Sequence, residues 1–212
     1  TQIATLLDLL LADRAQRRVQ EAVIDVVTTG PEAGATTNRD TSVVVRELFA
    51  QAERSVLVVG YAVYQGQRVF QALAERMQQR PALVVRLFLD VRRAAGDTSH
   101  AADVVRRFGE HFRRVDWPQG CPLPQVFYFP RSLDTATAQR AALHAKCVVV
   151  DRQRVFVSSA NFTEAAQERN IEVGLLIQSG WLAERIVGHF EAMVADRLLL
   201  PVYRAESRAS AR

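Results

Sequence analysis

The 212-residue chain is 49% hydrophobic and 24% charged, with a formal net charge of +4 and a pI near 9.6. That balance fits a soluble globular protein of one domain, or one domain plus an appendage, and permits an anionic partner such as nucleic acid or a lipid surface without requiring one. Two cysteines, Cys121 and Cys147, in no CxxC spacing exclude a disulfide framework and make the reducing cytoplasm the default location. No apolar run approaches the ~18 residues of a membrane span, so stable membrane insertion is not expected.

In chain order, Ile3, Leu6, Leu7, Leu10 and Leu11, then Val19, Val23, Val26 and Val27, recur at spacings of three and four and predict one or two helices over residues 2–27. Asp8 and Asp13 break the apolar stretch and its basic residues follow it, which reads as an amphipathic helix and not a signal peptide. Residues 28–41 are a Gly/Pro/Thr loop and 42–52 a helix. SVLVVGYAV (55–63), GQRVFQALAERMQQR (66–80) and ALVVRLFLDV (82–91) read as strand, helix and strand, a parallel βαβ unit. A helix at 100–113, a short strand at 126–130 and a polar loop at 131–141 follow. Residues 142–151 and 154–160 read as a hairpin turning at Arg152-Gln153. A short helix (161–167), a strand (170–177) and a closing helix (181–199) complete the chain. The expected fold is α/β, layered, with a mixed and largely parallel central sheet flanked by helices. The expected division is a helical N-terminal extension (1–40), a main domain (41–200) and a tail (201–212).

The segment HAKCVVVD (144–151) holds the chain's one lysine among 27 basic residues. Alternate residues of a strand share a face, so His144 and Lys146 point the same way. An imidazole and an ammonium make poor core, because an unpaired buried charge is costly. Together they suit a phosphate, a nucleophile or acid/base beside a compact cation. SSAN (158–161) adds Ser158, Ser159 and Asn161, with Asn161 and Glu164 at N-cap and N3 spacing, and a helix N-terminus offers free N–H groups to an anion. Glu172 opens an otherwise apolar strand, and an imidazole N–H would suit its carboxylate.

These residues fall in the register His-x-Lys-x4-Asp-x6-(Gly/Ser)-Ser-x-Asn, with Asn170-x-Glu172 trailing. The pattern resembles the HKD signature of the phospholipase D superfamily over about residues 42–198. Within it the chain is most similar to small single-motif bacterial members, among them the phospholipase D-like component of the DISARM anti-phage system. The resemblance implies a metal-independent phosphodiesterase without cofactor. His144 is its nucleophile, passing through a phosphohistidine, and Lys146, Ser158, Ser159 and Asn161 hold the phosphate oxygens. Glu172 orients His144, and Asp151 is a structural residue at the hairpin turn. The usual glycine before the motif serine is Ser158 here. One motif per chain implies a homodimer that places two copies of His144 across a two-fold axis. Expected partners are nucleic acid, DNA ahead of RNA, and subunits of a defence complex.

Blander readings stand beside these. Taken alone His144 reads as a core histidine, a reading the five other matching positions outweigh, and Ser158, Ser159 and Asn161 also read as helix caps. Glu172 suits a surface arginine, and His144, Cys147, Cys121 and His111 are a zinc set of unfamiliar spacing. The pairs Arg92-Arg93, Arg106-Arg107 and Arg113-Arg114 read as solvated faces more readily than as a nucleic-acid groove, and Tyr61 as core. Phosphatidyl transfer and a non-catalytic nucleic-acid-binding role are the alternative functions.

Overall fold

The structure, a computed structural model, describes residues 23–30, 40–61, 63–64, 66–136, 141–163, 166 and 170–203. Its elements in chain order are β1 (Val23–Thr29), α1 (Thr41–Ala50), β2 (Ser55–Gly60), β3 (Val63–Tyr64), α2 (Gly66–Gln79), β4 (Val84–Leu89) and α3 (Ala101–His111), which continues as a wider turn over 112–116. They are followed by β5 (Gln125–Tyr128), β6 (Cys147–Val150), β7 (Arg154–Ser158), β8 (Phe162–Thr163), β9 (Glu172–Gln178), α4 (Gly180–Ala195) and β10 (Leu200–Pro201).

The valine-rich runs of β2, β4 and β6 form the middle of an eight-stranded sheet, in the order β1-β9-β7-β6-β2-β4-β5-β10. Strands buried on both faces read as continuous apolar runs because each face needs its own cover. Val56 and Val58 of β2 join Val148 and Val150 of β6 under Phe49 of α1 and Phe70 and Leu73 of α2. The alternate residues Leu57, Val59, Cys147 and Val149 pack with Val187 and Phe190 of α4 on the other side. The result is an α/β/α sandwich whose two cores follow from the period of two along each strand.

The sheet is mixed and flanked by helices, as expected, but less parallel than expected. Among the described residues two of its seven pairings are parallel, β2 with β4 and β4 with β5. The short hairpin turn after β6 can join only antiparallel neighbours, and the parallel part is confined to the strands connected by long crossovers.

The helical reading of the N-terminal extension fails at Val23–Thr29, which is strand β1, paired antiparallel with β9 along its full length. The expected helix before it lies outside the described residues. β-Branched residues fill VIDVVTT and fit a pleated surface better than a helix. Thr29 ties the strand to the next element: its hydroxyl donates to Thr41 Oγ1 (2.8 Å) and accepts from the Thr41 N–H (3.1 Å) at the start of α1.

A second correction concerns residues 161–167. Phe162 and Thr163 form β8, pairing parallel with Val63 and Tyr64, so Asn161 does not cap a helix there. The capping contact comes two residues later, where the Thr163 hydroxyl accepts from the Ala166 N–H (3.1 Å). Gly60 makes this arrangement possible: a Cβ there would lie 2.7 Å from the Phe162 ring, so only glycine lets that ring close over the end of β2. Among the described residues no helix is long and apolar enough to cross a membrane.

Candidate active site

The site lies at the open end of the β6–β7 hairpin. The expected strand at 142–151 begins only at Cys147, and residues 141–146 form an extended lead-in. The Ser158 N–H donates to the Lys146 carbonyl (3.2 Å), and the Leu143 N–H donates to the buried Asp90 carboxylate (3.0 Å). These bonds hold the lead-in so that His144 is exposed and Lys146 half-buried on its surface. Lys146 Nζ donates to the His144 carbonyl (3.0 Å) and sits 3.3 and 3.4 Å from the two imidazole nitrogens. Burial and the nearby Arg92 cation lower the Lys146 pKa, with the Glu172 carboxylate opposing them. A cation and an imidazole in mutual reach can bind an oxyanion and offer its central atom a nucleophile.

The β7 end contributes the second wall. The Ser159 hydroxyl donates to Glu172 Oε2 and accepts from the Val173 N–H (3.2 Å). Asn170 Nδ2 approaches the other oxygen of the same carboxylate (3.4 Å). Among the described residues Glu172 therefore bonds to Ser159 and Asn170 and not to His144 as expected, because β9 presents it to the end of β7, its hydrogen-bonded neighbour in the sheet. Ser158, standing where glycine is usual, folds its hydroxyl back to accept from the Ala160 N–H (3.0 Å). Asn161 leaves Oδ1 buried with no partner among the described residues, an acceptor that calls for a donor.

His144, Lys146, Ser158 and Ser159 line one side of a groove of about 790 Å³, and Leu182, Ile186 and His189 of α4 line the other. His189 carries no motif signal in the sequence, because no lysine stands two residues after it. Sequence reasoning also missed Tyr61 as a site residue. The Tyr61 ring lies 4.3 Å from the His144 ring, centroid to centroid, at 61°. The Arg92 guanidinium lies 3.7 Å above the same tyrosine, and Lys146 Nζ lies 5.2 Å from it. Gly60 ending β2 was the available signal, because the next residue emerges where the sheet stops.

Asp151 is at the opposite end of β6. It sits in the left-handed region (φ 54°), followed by Arg152 (φ 55°), and its carboxylate accepts from the N–H groups of Glu53 (2.9 Å), Arg54 (2.6 Å) and Ser55 (2.9 Å). Burial alone would raise its pKa, but the three backbone donors outweigh it and hold the carboxyl below the usual value. The hairpin turn runs through Asp151, Arg152 and Gln153, with the Gln153 N–H donating to the Val150 carbonyl (3.0 Å). Burial pushes the Cys147 thiol up to about 12, which marks a packing group and not a nucleophile. No group of three or more His, Cys, Asp or Glu near enough to hold a metal occurs among the described residues, so the zinc set is not assembled.

Comparison with known proteins bears on the fold and the family. The family described as cardiolipin synthase, PLD-like domain, matches residues 45–194. The DISARM protein DrmC of Bacillus paralicheniformis is 30% identical over 171 residues, covering 80% of this chain and 62% of that protein, so the chain spans about three fifths of that relative's length. Nuc, a phospholipase D family member from Salmonella typhimurium, shares the fold with a TM-score of 0.54 at 20% identity, over 87% of this chain and all of that one. NucT from Helicobacter pylori does so at 0.55 and 15% identity, over 82% and 97% of the two chains. Phosphatidylserine synthase of Haemophilus influenzae does so at 0.54 and 15%, over 86% and 40%. With the family match spanning most of the sequence and the sandwich shared with its solved structures, the chain belongs to the phospholipase D superfamily, as a PLD-like domain protein.

Proposed function

We propose that this chain is a metal-independent phosphodiesterase acting on nucleic acid, DNA ahead of RNA, with His144 as the nucleophile. The observation that carries the reading is the pairing of an exposed imidazole with the chain's one lysine at the mouth of the groove, with Ser159 beside them. In the first step an imidazole nitrogen forms a bond to phosphorus and the bond to the leaving oxygen breaks. That oxygen takes a proton from a general acid. In the second step water attacks the phosphohistidine, gives its proton to the same group and releases His144. Lys146 and Ser159 face the non-bridging oxygens, whose charge grows in both transition states. Lysine suits this position better than arginine, being a compact point charge on a flexible stem.

The acid is assigned to the second copy's His144 in a two-fold dimer. Support for such a contact comes from a row of exposed apolar residues in register, Val157 on β7, Leu175 on β9 and Val26 on β1, continuous with the groove through Val157. A contiguous exposed apolar face of this kind marks an interaction surface. Similarity to the DISARM protein DrmC supports work in anti-phage defence beside other subunits.

One observation favours a second reading. Leu182, Ile186 and Phe190 give the α4 wall of the groove an apolar stretch beside Arg185 and His189, which suits a lipid chain below a phosphate headgroup and hence phospholipase or phosphatidyl-transfer chemistry. A single assay separates the readings. Labelled single- and double-stranded DNA and RNA, and phospholipid in micelles, are incubated with excess EDTA beside His144→Ala and His189→Ala. Cleavage of nucleic acid that His144→Ala abolishes and His189→Ala retains is expected. Turnover of micellar lipid alone moves the assignment to phosphatidyl chemistry. Equal loss in both variants puts the acid in the same chain and removes the dimer from the mechanism. Salt-sensitive binding without turnover leaves a non-catalytic nucleic-acid-binding subunit.

A further inference from the structure

We infer that Arg92, outside the HKD motif, is a second phosphate-binding residue of this site. It takes the phosphate next to the scissile one, so the site accepts a strand of consecutive phosphodiesters. The inference rests on the phosphodiesterase reading above and names its substrate class.

The arrangement around Arg92 is built. Asp90 ends the apolar run of β4 and its side chain is fully buried. One of its oxygens accepts from the Leu143 N–H (3.0 Å), the residue before His144, and the other from Arg92 Nε (2.8 Å). A single carboxylate thus ties Arg92 and the nucleophile's own segment to one point. The guanidinium lies over the Tyr61 ring, 3.7 Å from its centroid, and Tyr61 in turn packs against His144. Nε is consumed by Asp90, while the two terminal amino groups carry no partner among the described residues and the side chain is 49% exposed. An arginine fixed at Nε and stacked on a ring has already given up the rotamer freedom that anion binding would otherwise cost.

Arg93 shows what an arginine used for structure looks like in the same loop. Its side chain is 7% exposed and its amino groups donate to the carbonyls of Asp97, Ser99 and Leu133. Arg92 is also held near Lys146, whose ammonium it disfavours, so two like charges stand by the same Tyr61 ring until an anion arrives. With one face of Tyr61 covered by Arg92, the ring is not free for a base to stack on that side. Recognition is through phosphate and carries no sequence preference.

The test is a cycle of substrate against protein. Thymidine dinucleotide, and the same dinucleotide with an added 5′- or 3′-phosphate, are cleaved by wild type, Arg92→Gln and Arg92→Lys, with His144→Ala as blank. One flanking phosphate is expected to raise wild-type kcat/KM by about tenfold or more, through KM, as a charge-assisted contact allows. Arg92→Gln is expected to lose most of that gain and Arg92→Lys to keep part of it. Thermal melts establish that each variant is folded, and Arg92→Lys carries the test alone if the glutamine variant is not. The proposal is overturned if neither phosphate helps wild type, or if the gain survives intact in the variants. If wild type cleaves none of the three above the His144→Ala blank, the phosphodiesterase reading is overturned and this one with it.

Discussion

At the turn end of the β6–β7 hairpin, the Asp151 carboxylate is surrounded by three backbone N–H groups, and the Arg152 guanidinium binds Glu184 (2.6 Å) and Glu191 (2.6 Å) of α4. At the open end of the same two strands, His144 is exposed, the Lys146 ammonium is not paired with a carboxylate at bonding distance and Asn161 Oδ1 has no partner among the described residues. Four strand residues separate the two ends. One end is held by backbone donors and ion pairs and fixes where the strands begin, while the other leaves the Lys146 ammonium open to an anion and the Asn161 Oδ1 acceptor without a donor among the described residues. Two residues of one motif thus stand in different surroundings: Asp151 ties the turn to the loop before β2, and His144 is the residue proposed to do the chemistry.

The contrast can be broken from either end. The largest effect is expected from His144→Ala, a loss on the order of 10⁴-fold in kcat. As an exposed side chain it should leave the melting temperature within about 2 °C of wild type. Asp151→Ala should do the reverse, costing about 3 kcal/mol of stability through three orphaned backbone donors and roughly 10 °C in Tm, while the folded fraction keeps turning over.

Acid sharpens the same point. The folded-state pKa of Asp151 lies below its unfolded value, so its contribution is complete above the ordinary aspartate pKa of about 4 and is lost as pH falls through the folded value. Urea melts across this window should show a steeper loss in wild type than in Asp151→Asn.

Ser159→Ala removes a donor from the site and releases Glu172, and a fall of about tenfold or more in kcat/KM is expected with little change in Tm. The smallest effect concerns Lys146. Its ammonium is disfavoured by burial and by Arg92 and favoured by Glu172. The alkaline limb of the kcat/KM profile should therefore move to higher pH in Arg92→Gln and to lower pH in Glu172→Gln.

Much of this was legible in the chain. β2, α2 and β4 announce themselves through continuous apolar runs around an amphipathic helix, and the spacing from His144 to Asn161 carries the family. β1 was not, because Val23, Val26 and Val27 also satisfy a helical spacing and the strand exists only through β9, far along the sequence. β8 escaped because a two-residue ladder has no period. Side-chain partners were the least legible. Glu172 finds Ser159 instead of His144 because strand neighbours, fixed by tertiary pairing, decide what a carboxylate meets. Arg92 left one trace: Asp90 closes a buried strand, and a buried carboxylate needs a partner.

The most direct measurement is to quench a single turnover of phosphate-labelled substrate in alkali, with EDTA present, and look for label on the protein. Alkali-stable, acid-labile label on a peptide containing His144, absent in His144→Ala, is the expected result. Turnover without labelled protein, or label that persists in His144→Ala, would contradict His144 as the nucleophile.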